Sequence, residues 1–220
     1  MQFLSEVWGI IMFYRNVGKR ILDIFFALIG LLFSVVLFPI IAVLIVLDSP
    51  GPVFFLQKRV GLNGKEFSIY KFRTMVKDAT SKGAGYYFET NDSRITKVGA
   101  FLRKTSLDEL PQLLNILQGD MSIVGPRPQL PFIVEKYYSY YEPVLSVKPG
   151  LTGLAQVSGR TSLRRSQMVA LDQEYAHIIS FLTDAKIVLK TIQVVLQKSG
   201  VKTDVSEEFL EDLTPGTTNS

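Results

Sequence analysis

The sequence predicts a mainly helical α+β protein in which a membrane-embedded helix precedes one compact globular domain. Residues 21–47 are apolar, and from Ile24 to Leu47 they carry no charge. As an α-helix this uncharged stretch is roughly 36 Å long, against about 30 Å for the hydrocarbon core of a bilayer. Two β-rich stretches flank Asn63-Gly64, which predicts a small β-hairpin. The 220 residues allow one membrane segment and one modest domain, which we expect over residues 48–200.

The composition narrows the classes of partner. With 47% hydrophobic and 20% charged residues, the body of the chain is not disordered. There is no cysteine, which excludes disulfides and thiol chemistry. The net charge of +4 is uneven, because residues 201–220 carry −4 and leave +8 on the body. We expect those last residues to form an acidic, disordered tail. A basic body indicates anionic lipid headgroups or phosphorylated substrates, and no recognised motif indicates nucleic acid.

Residues 1–20 are predicted to form an interfacial segment. Apolar residues recur near helical spacing, and aromatic and basic side chains suited to the membrane interface follow them. The latter are Trp8, Phe13, Tyr14, Arg15, Lys19 and Arg20. An amphipathic interfacial helix is the preferred interpretation, and a mobile leader is the alternative.

The path of residues 21–47 through the membrane depends on Pro39. Proline breaks the hydrogen-bond ladder of a helix. Basic residues, which prefer the cytoplasmic side, flank the segment at both ends, so a simple crossing violates that rule on one side. A re-entrant helix that bends at Pro39 satisfies it, and Ser34 could supply a hydroxyl to the backbone groups freed at the break. A spanning helix remains the alternative, since proline also occurs in true spans.

The globular part is predicted to be mainly helical. Residues 110–117, 163–178 and 181–198 have helical patterns, and the last is amphipathic. Its predicted apolar face consists of Phe181, Ala185, Val188, Leu189, Ile192 and Leu196. The glycine- and proline-rich stretches 119–128 and 147–160 are predicted to be loops.

Adjacent carboxylates are the strongest chemical feature. No P-loop, nucleophile elbow or zinc motif is present, and His177 is the only histidine. Asp108 and Glu109 can face one site, where a carboxylate can attack phosphorus or hold Mg²⁺. Arg103 and Arg127 are candidates for phosphate binding. The alternative is structural: Thr105 or Ser106 caps a helix whose first turn happens to be acidic.

A series of motifs in fixed order resembles the bacterial sugar transferase family of small monotopic phosphoglycosyl transferases. The motifs are K-R-x-x-D (Lys19 to Asp23), D-S-P-G-P-V-F-F (48–55), K-R-V-G (58–61), Y-K-F-R-T-M (70–75), L-R-K-T-S-L-D-E-L-P-Q-L (102–113), G-D-M-S-I-V-G-P-R-P (119–128) and K-P-G-L-T-G (148–153). Members often have Ser-Pro at the helix break, where this chain has Phe38-Pro39.

The resemblance implies a reaction. A sugar 1-phosphate would move from a UDP-sugar to undecaprenyl phosphate with Mg²⁺, releasing UMP. Asp108 would be the nucleophile and a metal ligand, and Glu109 would assist it. The other motif cations are candidates for substrate binding, namely Arg103, Arg127, Lys71, Arg73 and Arg160.

The same resemblance implies the protein's place in the cell. Residues 48–200 would be a catalytic domain on the cytoplasmic face of the bacterial inner membrane, in contact with membrane lipid. A homodimer and contacts with downstream glycosyltransferases are left open. Two other functions are weighed: a non-catalytic basic membrane scaffold that binds anionic lipids or partner proteins, and direct transfer without a covalent intermediate.

Overall fold

The computed structural model describes residues 2–79, 92–159, 163–196 and Leu213. Within these ranges the protein is mainly helical, with two small two-stranded sheets. The strands are β1 (Phe54–Val60), β2 (Glu66–Phe72), β3 (Ser122–Val124) and β4 (Gly150–Thr152). The helices are α1 (Gln2–Phe13), α2 (Lys19–Asp48), α3 (Lys97–Thr105), α4 (Gln112–Gln118), α5 (Pro131–Lys136), α6 (Tyr138–Tyr141), α7 (Leu154–Ser158), α8 (Arg165–Ile178) and α9 (Phe181–Leu196).

The N-terminal region is one continuous helical run. A five-residue π-helical turn, Tyr14–Gly18, joins α1 to α2 without a break. The interfacial segment and the membrane helix, which were expected as separate units, therefore form one continuous helix. Gly9–Asp48 is the one helix in the described residues that is long and apolar enough to cross a membrane.

Helix α2 continues through Pro39. The assigned helix runs from Lys19 to Asp48 with the proline inside it, so helical structure continues on both sides of the predicted bend. Ser34 is buried, and its hydroxyl donates to the Gly30 carbonyl one turn upstream at 2.7 Å. The prediction that Ser34 serves the groups freed at the proline is wrong, because its bond goes toward the N-terminus.

Both ends of α2 are fastened to the globular domain. Near the N-terminal end, the Asp23 carboxylate accepts from the Ser122 hydroxyl at 3.0 Å and from the Ile123 N–H at 2.8 Å. At the C-terminal end, the Asp48 carboxylate accepts from the Val98 N–H at 2.7 Å. Between them one face is buried, at Ala27, Ser34, Ile41 and Ile45. The domain therefore follows the helix along most of its length.

The predicted hairpin is confirmed. Strands β1 and β2 are antiparallel, with Phe54 opposite Phe72 and Val60 opposite Glu66. The turn contains Asn63 and Gly64 with positive φ angles of 55° and 77°, a conformation that these two residue types tolerate well.

The two glycine-rich stretches predicted as loops contain short paired strands. Strand β3 pairs in parallel with β4, with Ser122 opposite Gly150. Gly125, Gly150 and Gly153 lie so close together that a methyl group on any of them would overlap backbone atoms of this crossing. The Gly150 N–H also donates to the Pro126 carbonyl at 2.8 Å. Glycine is thus required for the backbones to meet, rather than for loop flexibility.

Helix α9 buries a different face from the predicted one. Asp184 and Ile187 are buried, while most of the predicted apolar face is exposed, including Phe181, Leu189, Ile192 and Leu196. A polar network decides the orientation: the Asp184 carboxylate accepts from Tyr14 at 2.6 Å, Lys19 at 2.5 Å and Tyr175 at 2.7 Å. The network fastens α8 and α9 to the start of α2.

The C-terminal residues lie outside the described part of the chain except for Leu213. Leu213 is buried, and it belongs to a hydrophobic cluster with Val60, Tyr141 and Val144. Its burial differs from the prediction of a disordered tail over residues 201–220, because this one apolar side chain packs against the domain.

Candidate active site

A sharp backbone turn presents the two adjacent carboxylates. Ser106 ends α3 in the left-handed conformation (φ 57°), and Leu107–Glu109 then form a 3₁₀ turn ahead of α4. The alternative in which Thr105 or Ser106 caps the helix through its side chain is wrong. The Ser106 side chain makes no capping hydrogen bond, and the Thr105 hydroxyl donates back to the Phe101 and Leu102 carbonyls.

Glu109 is held by two cations. Its Oε1 accepts from Lys71 Nζ at 2.9 Å and from Arg127 Nη2 at 3.0 Å. Burial favours the neutral acid, but the charges of Lys71 and Arg127 and their hydrogen bonds outweigh it, so the pKa of Glu109 is lowered. In return, the charge of Glu109 raises the pKa of Arg127. Glu109 is therefore a fixed carboxylate at neutral pH.

Asp108 differs from its neighbour. It is half-buried, and among the described residues it makes no hydrogen bond or ion pair. Burial, and then the charge of Glu109, raise the pKa of Asp108 to about 6 against the opposing charges of nearby cations. Ionised above that pH and without a partner among the residues described, it has the state that a nucleophile requires.

Arg103 completes the basic side of the site. Its Nε donates to Thr74 Oγ1 at 2.8 Å. Burial lowers its pKa, and the charge of Asp108 is the strongest influence in the opposite direction. Lys71 behaves similarly, since burial lowers its pKa while Glu109 acts against that shift. The structure therefore brings together five of the predicted site residues, namely Asp108, Glu109, Lys71, Arg103 and Arg127.

Arg73, another predicted substrate-binding residue, does not join this group. Arg73 is buried, and its guanidinium donates to the carbonyls of Ser49 and Pro50, the turn that follows α2. It fastens the membrane helix to the hairpin, so a substrate-binding role does not fit its contacts. Arg160 lies outside the described residues.

The structure adds two residues that the sequence did not single out. Arg59 donates to the Pro128 carbonyl at 3.0 Å, which supports the loop that carries Arg127. Asn115 is fully buried, and its side chain accepts from the Tyr70 N–H and donates to the Ser68 carbonyl. It ties α4 to strand β2 beside Lys71. Arg59 could have been noticed because it belongs to the K-R-V-G motif. No sequence pattern around Asn115 predicts its contacts with Ser68 and Tyr70.

The acids present are compatible with Mg²⁺. The described residues contain no group of three acidic or histidine side chains that would cage a metal. Mg²⁺ commonly takes only one or two protein carboxylates and fills its remaining positions with water and phosphate oxygens. Asp108, whose oxygens have no other partner in the described part of the chain, suits such a site.

Comparison with known proteins decides the family. The model for "Bacterial sugar transferase" matches residues 14–198. The chain belongs to the bacterial sugar transferase family. The match covers the membrane helix, the adjacent carboxylates and α9, and so includes every element of the site described above.

Individual relatives of this sugar transferase agree over most of the chain. It is 45% identical to the galactosyl transferase CpsE of Streptococcus agalactiae, covering 84% of this chain and 44% of that protein. It is 40% identical to the exopolysaccharide production protein ExoY of Rhizobium meliloti, covering 90% and 94%. A UDP-N-acetylgalactosamine-undecaprenyl-phosphate N-acetylgalactosaminephosphotransferase of Aeromonas hydrophila is 40% identical, covering 84% and 45%. This sugar transferase thus spans less than half of two of these relatives and nearly all of the third.

Proposed function

We propose that this protein transfers a sugar 1-phosphate from a UDP-sugar to undecaprenyl phosphate, producing undecaprenyl-diphosphate-sugar and UMP. The observation that carries the proposal is the contrast between the two adjacent carboxylates. Glu109 is held by two cations, whereas Asp108 beside it has no protein partner in the described residues and a pKa of about 6. The name of the Aeromonas relative supports both the acceptor and the class of donor.

The reaction proceeds in two displacements at one phosphorus atom. An Asp108 carboxylate oxygen attacks the β-phosphorus, the bond from that phosphorus to the bridging oxygen breaks, and UMP leaves with the electron pair. The product is a sugar phosphate joined to Asp108 as an acyl phosphate. An oxygen of undecaprenyl phosphate then attacks the same phosphorus, and the Asp108 carboxylate leaves. No proton transfer is needed at the attacking carboxylate.

The remaining residues stabilise negative charge. Arg103, Lys71 and Arg127 lie around the carboxylates and suit the oxygens of a diphosphate in the transition state. Glu109 keeps Lys71 and Arg127 in position before substrate arrives, at 2.9 and 3.0 Å. Mg²⁺, held by Asp108 and phosphate oxygens, would supply further neutralisation of the diphosphate.

The same proposal includes a re-entrant topology with the domain in the cytoplasm. Asp23 and Asp48 fasten opposite ends of α2 to a single domain. A helix that crossed the bilayer would place these two ends on opposite sides of about 30 Å of hydrocarbon. Contacts at both ends with one polar domain therefore favour entry and exit on one face, where soluble UDP-sugars are present.

The decisive experiment measures both UMP release and the mass of the protein. The wild type, mixed with UDP-sugars and Mg²⁺ without acceptor, should release one UMP per chain and gain the mass of a sugar phosphate. The variant Asp108→Asn should show neither. Full turnover by Asp108→Asn would refute the nucleophile. A steady state that requires both substrates at once, with no adduct on the wild type, would instead indicate direct transfer.

A further inference from the structure

Arg127 reaches the carboxylates from a loop, residues 125–130, that has no regular secondary structure. Its side chain is 46% exposed, so little packing restrains the guanidinium itself. The direction of the side chain therefore depends on how firmly the backbone of Arg127 is held. One hydrogen bond acts on that residue directly: the side-chain amide of Gln129 donates to the Arg127 carbonyl at 2.9 Å.

The Gln129 amide is itself oriented by a cation. Its Oε1 accepts from Arg165 Nη2 at 2.7 Å, a hydrogen bond from a charged donor. A side-chain amide carries its acceptor oxygen and its donor nitrogen on two different branches. Because Arg165 engages the oxygen, the nitrogen faces the Arg127 carbonyl, whereas a reversed amide would bring two oxygens together. Arg165 thus determines which end of Gln129 meets the backbone of Arg127.

Arg165 is fixed against the core of the domain. It is the first residue of α8 and is only 7% exposed. Its guanidinium carbon lies 5.8 Å from the centre of the Tyr141 ring, and the guanidinium also donates a hydrogen bond to the Tyr141 hydroxyl. Tyr141 is buried in the hydrophobic cluster that includes Val60 and Val144. The Gln129 amide is therefore oriented by a group that cannot move freely.

The charge of Arg165 has no close counter-charge. The guanidinium forms no ion pair in the described part of the chain. Asp172, two turns along α8, is buried, which raises its pKa to about 7 although the charges of Arg165 and Arg127 oppose that shift. A buried cation without an ion pair is unfavourable, and an apolar side chain of similar length would fill the same space. The hydrogen bond to Gln129 gives this charge a use at the active site.

We infer that Arg165 is a positioning residue for the transfer reaction: acting through the amide of Gln129, it fixes the backbone of Arg127 so that the guanidinium meets the diphosphate of the substrate. Arg165 itself forms no hydrogen bond or ion pair with Asp108 or Glu109. The inference rests on the proposed function for the identity of that ligand. It makes α8 part of the machinery of the site through a single amide.

Binding of inorganic pyrophosphate tests this role without requiring turnover. Its Kd is measured by calorimetry on the full chain in lipid nanodiscs. Arg165→Met largely keeps the length of the side chain but removes the donor, and it should weaken binding about 3- to 10-fold. Gln129→Ala should reproduce that loss, and Arg165→Lys, which still donates to Gln129, should recover most of the affinity. Arg164→Met, the same change at the exposed neighbouring position, is the control and should leave the Kd unchanged.

A double variant separates positioning from a general structural role. If Arg165 acts through Arg127, adding Arg165→Met to Arg127→Met should cause no further loss of affinity. Gln129→Ala in the Arg127→Met background makes the same comparison without removing the buried cation. A loss that persists in the Arg127→Met background, or wild-type affinity in Arg165→Met, would overturn the inference. Pyrophosphate binding that depends on Arg165 in this way, in a protein that releases no UMP from any UDP-sugar, would refute the proposed function and leave the positioning role standing.

Discussion

Lys71 and Glu109 lie 38 positions apart in the chain, and their charged atoms approach to 2.9 Å. The pair joins strand β2 to the 3₁₀ turn that carries both carboxylates. It fixes Glu109 and leaves Asp108 without a partner in the described residues, which separates the roles of two adjacent acids.

Removing the charge of Glu109 should change the pH dependence of the reaction. In the wild type, kcat/KM should fall as the pH drops through about 6, because Asp108 becomes protonated there. Glu109→Gln removes a negative charge that raises the pKa of Asp108, so the acid limb should move to lower pH. The maximal rate should fall about 10-fold or more, since Lys71 and Arg127 lose the negative charge of their common partner.

A pH profile of UMP release from about pH 5 to 8 measures this shift. Glu66→Gln removes the same charge at an exposed position on β2, the strand that carries Lys71, and as the control it should keep the wild-type acid limb. An acid limb that stays in place in Glu109→Gln would contradict the electrostatic coupling.

Asn115 should be necessary for both stability and rate. Asn115→Ala leaves the Tyr70 N–H and the Ser68 carbonyl without their side-chain partner, which should lower the free energy of unfolding by about 2 kcal/mol or more. Lys71 then loses its fixed position, so UMP release should slow as well. Denaturant titration and a UMP assay check both effects. Gln118→Ala, exposed on the same helix, should change neither.

The close backbone approach of Gly125, Gly150 and Gly153 should not tolerate an added methyl group. In Gly150→Ala the new Cβ would overlap the nitrogen of Gly125, so β3, β4 or the Arg127 loop must shift. We expect a loss of about 2 kcal/mol or more in stability, with a lower Tm and lost UMP release. Gly9→Ala is the control, because a methyl group there meets no atom within 4 Å. A Gly150→Ala protein as stable and active as the wild type would show that the close approach is unimportant.

The membrane topology can be tested with single cysteines, since the chain has none. Glu6→Cys and Lys65→Cys are exposed and lie on opposite sides of the apolar stretch. In a re-entrant protein, an impermeant thiol reagent should label both in inverted membrane vesicles and neither in intact spheroplasts. Labelling of one from each side would establish a spanning helix.

Local signals account for the elements that were predicted correctly. Asn63-Gly64 determines the hairpin because its turn requires positive φ angles, and α4 and α8 follow from helical periodicity. The motifs that contain the adjacent carboxylates and their cations lie together in the fold. These features depend on residues close in the chain or on motifs with a fixed order.

Contacts between distant residues account for the errors. Arg73 belongs to a basic motif, but only the folded chain shows that its guanidinium turns to Ser49 and Pro50. Strands β3 and β4 have three residues each, too few to produce an alternating pattern. The buried face of α9 depends on the hydrogen bonds that Asp184 accepts from the π-helical turn, α2 and α8, and hydrophobic periodicity does not predict these.

The parallel pairing of β3 with β4 has a consequence for the order of events during synthesis. The ribosome delivers the membrane helix, Asp108 and Arg127 before it delivers Gly150, whose backbone holds the Arg127 loop. At about 5–20 residues per second, the last of these arrives seconds after the first. A nascent chain therefore cannot fix the position of the Arg127 loop until Gly150 has been made, by which time the whole membrane helix has already been synthesised.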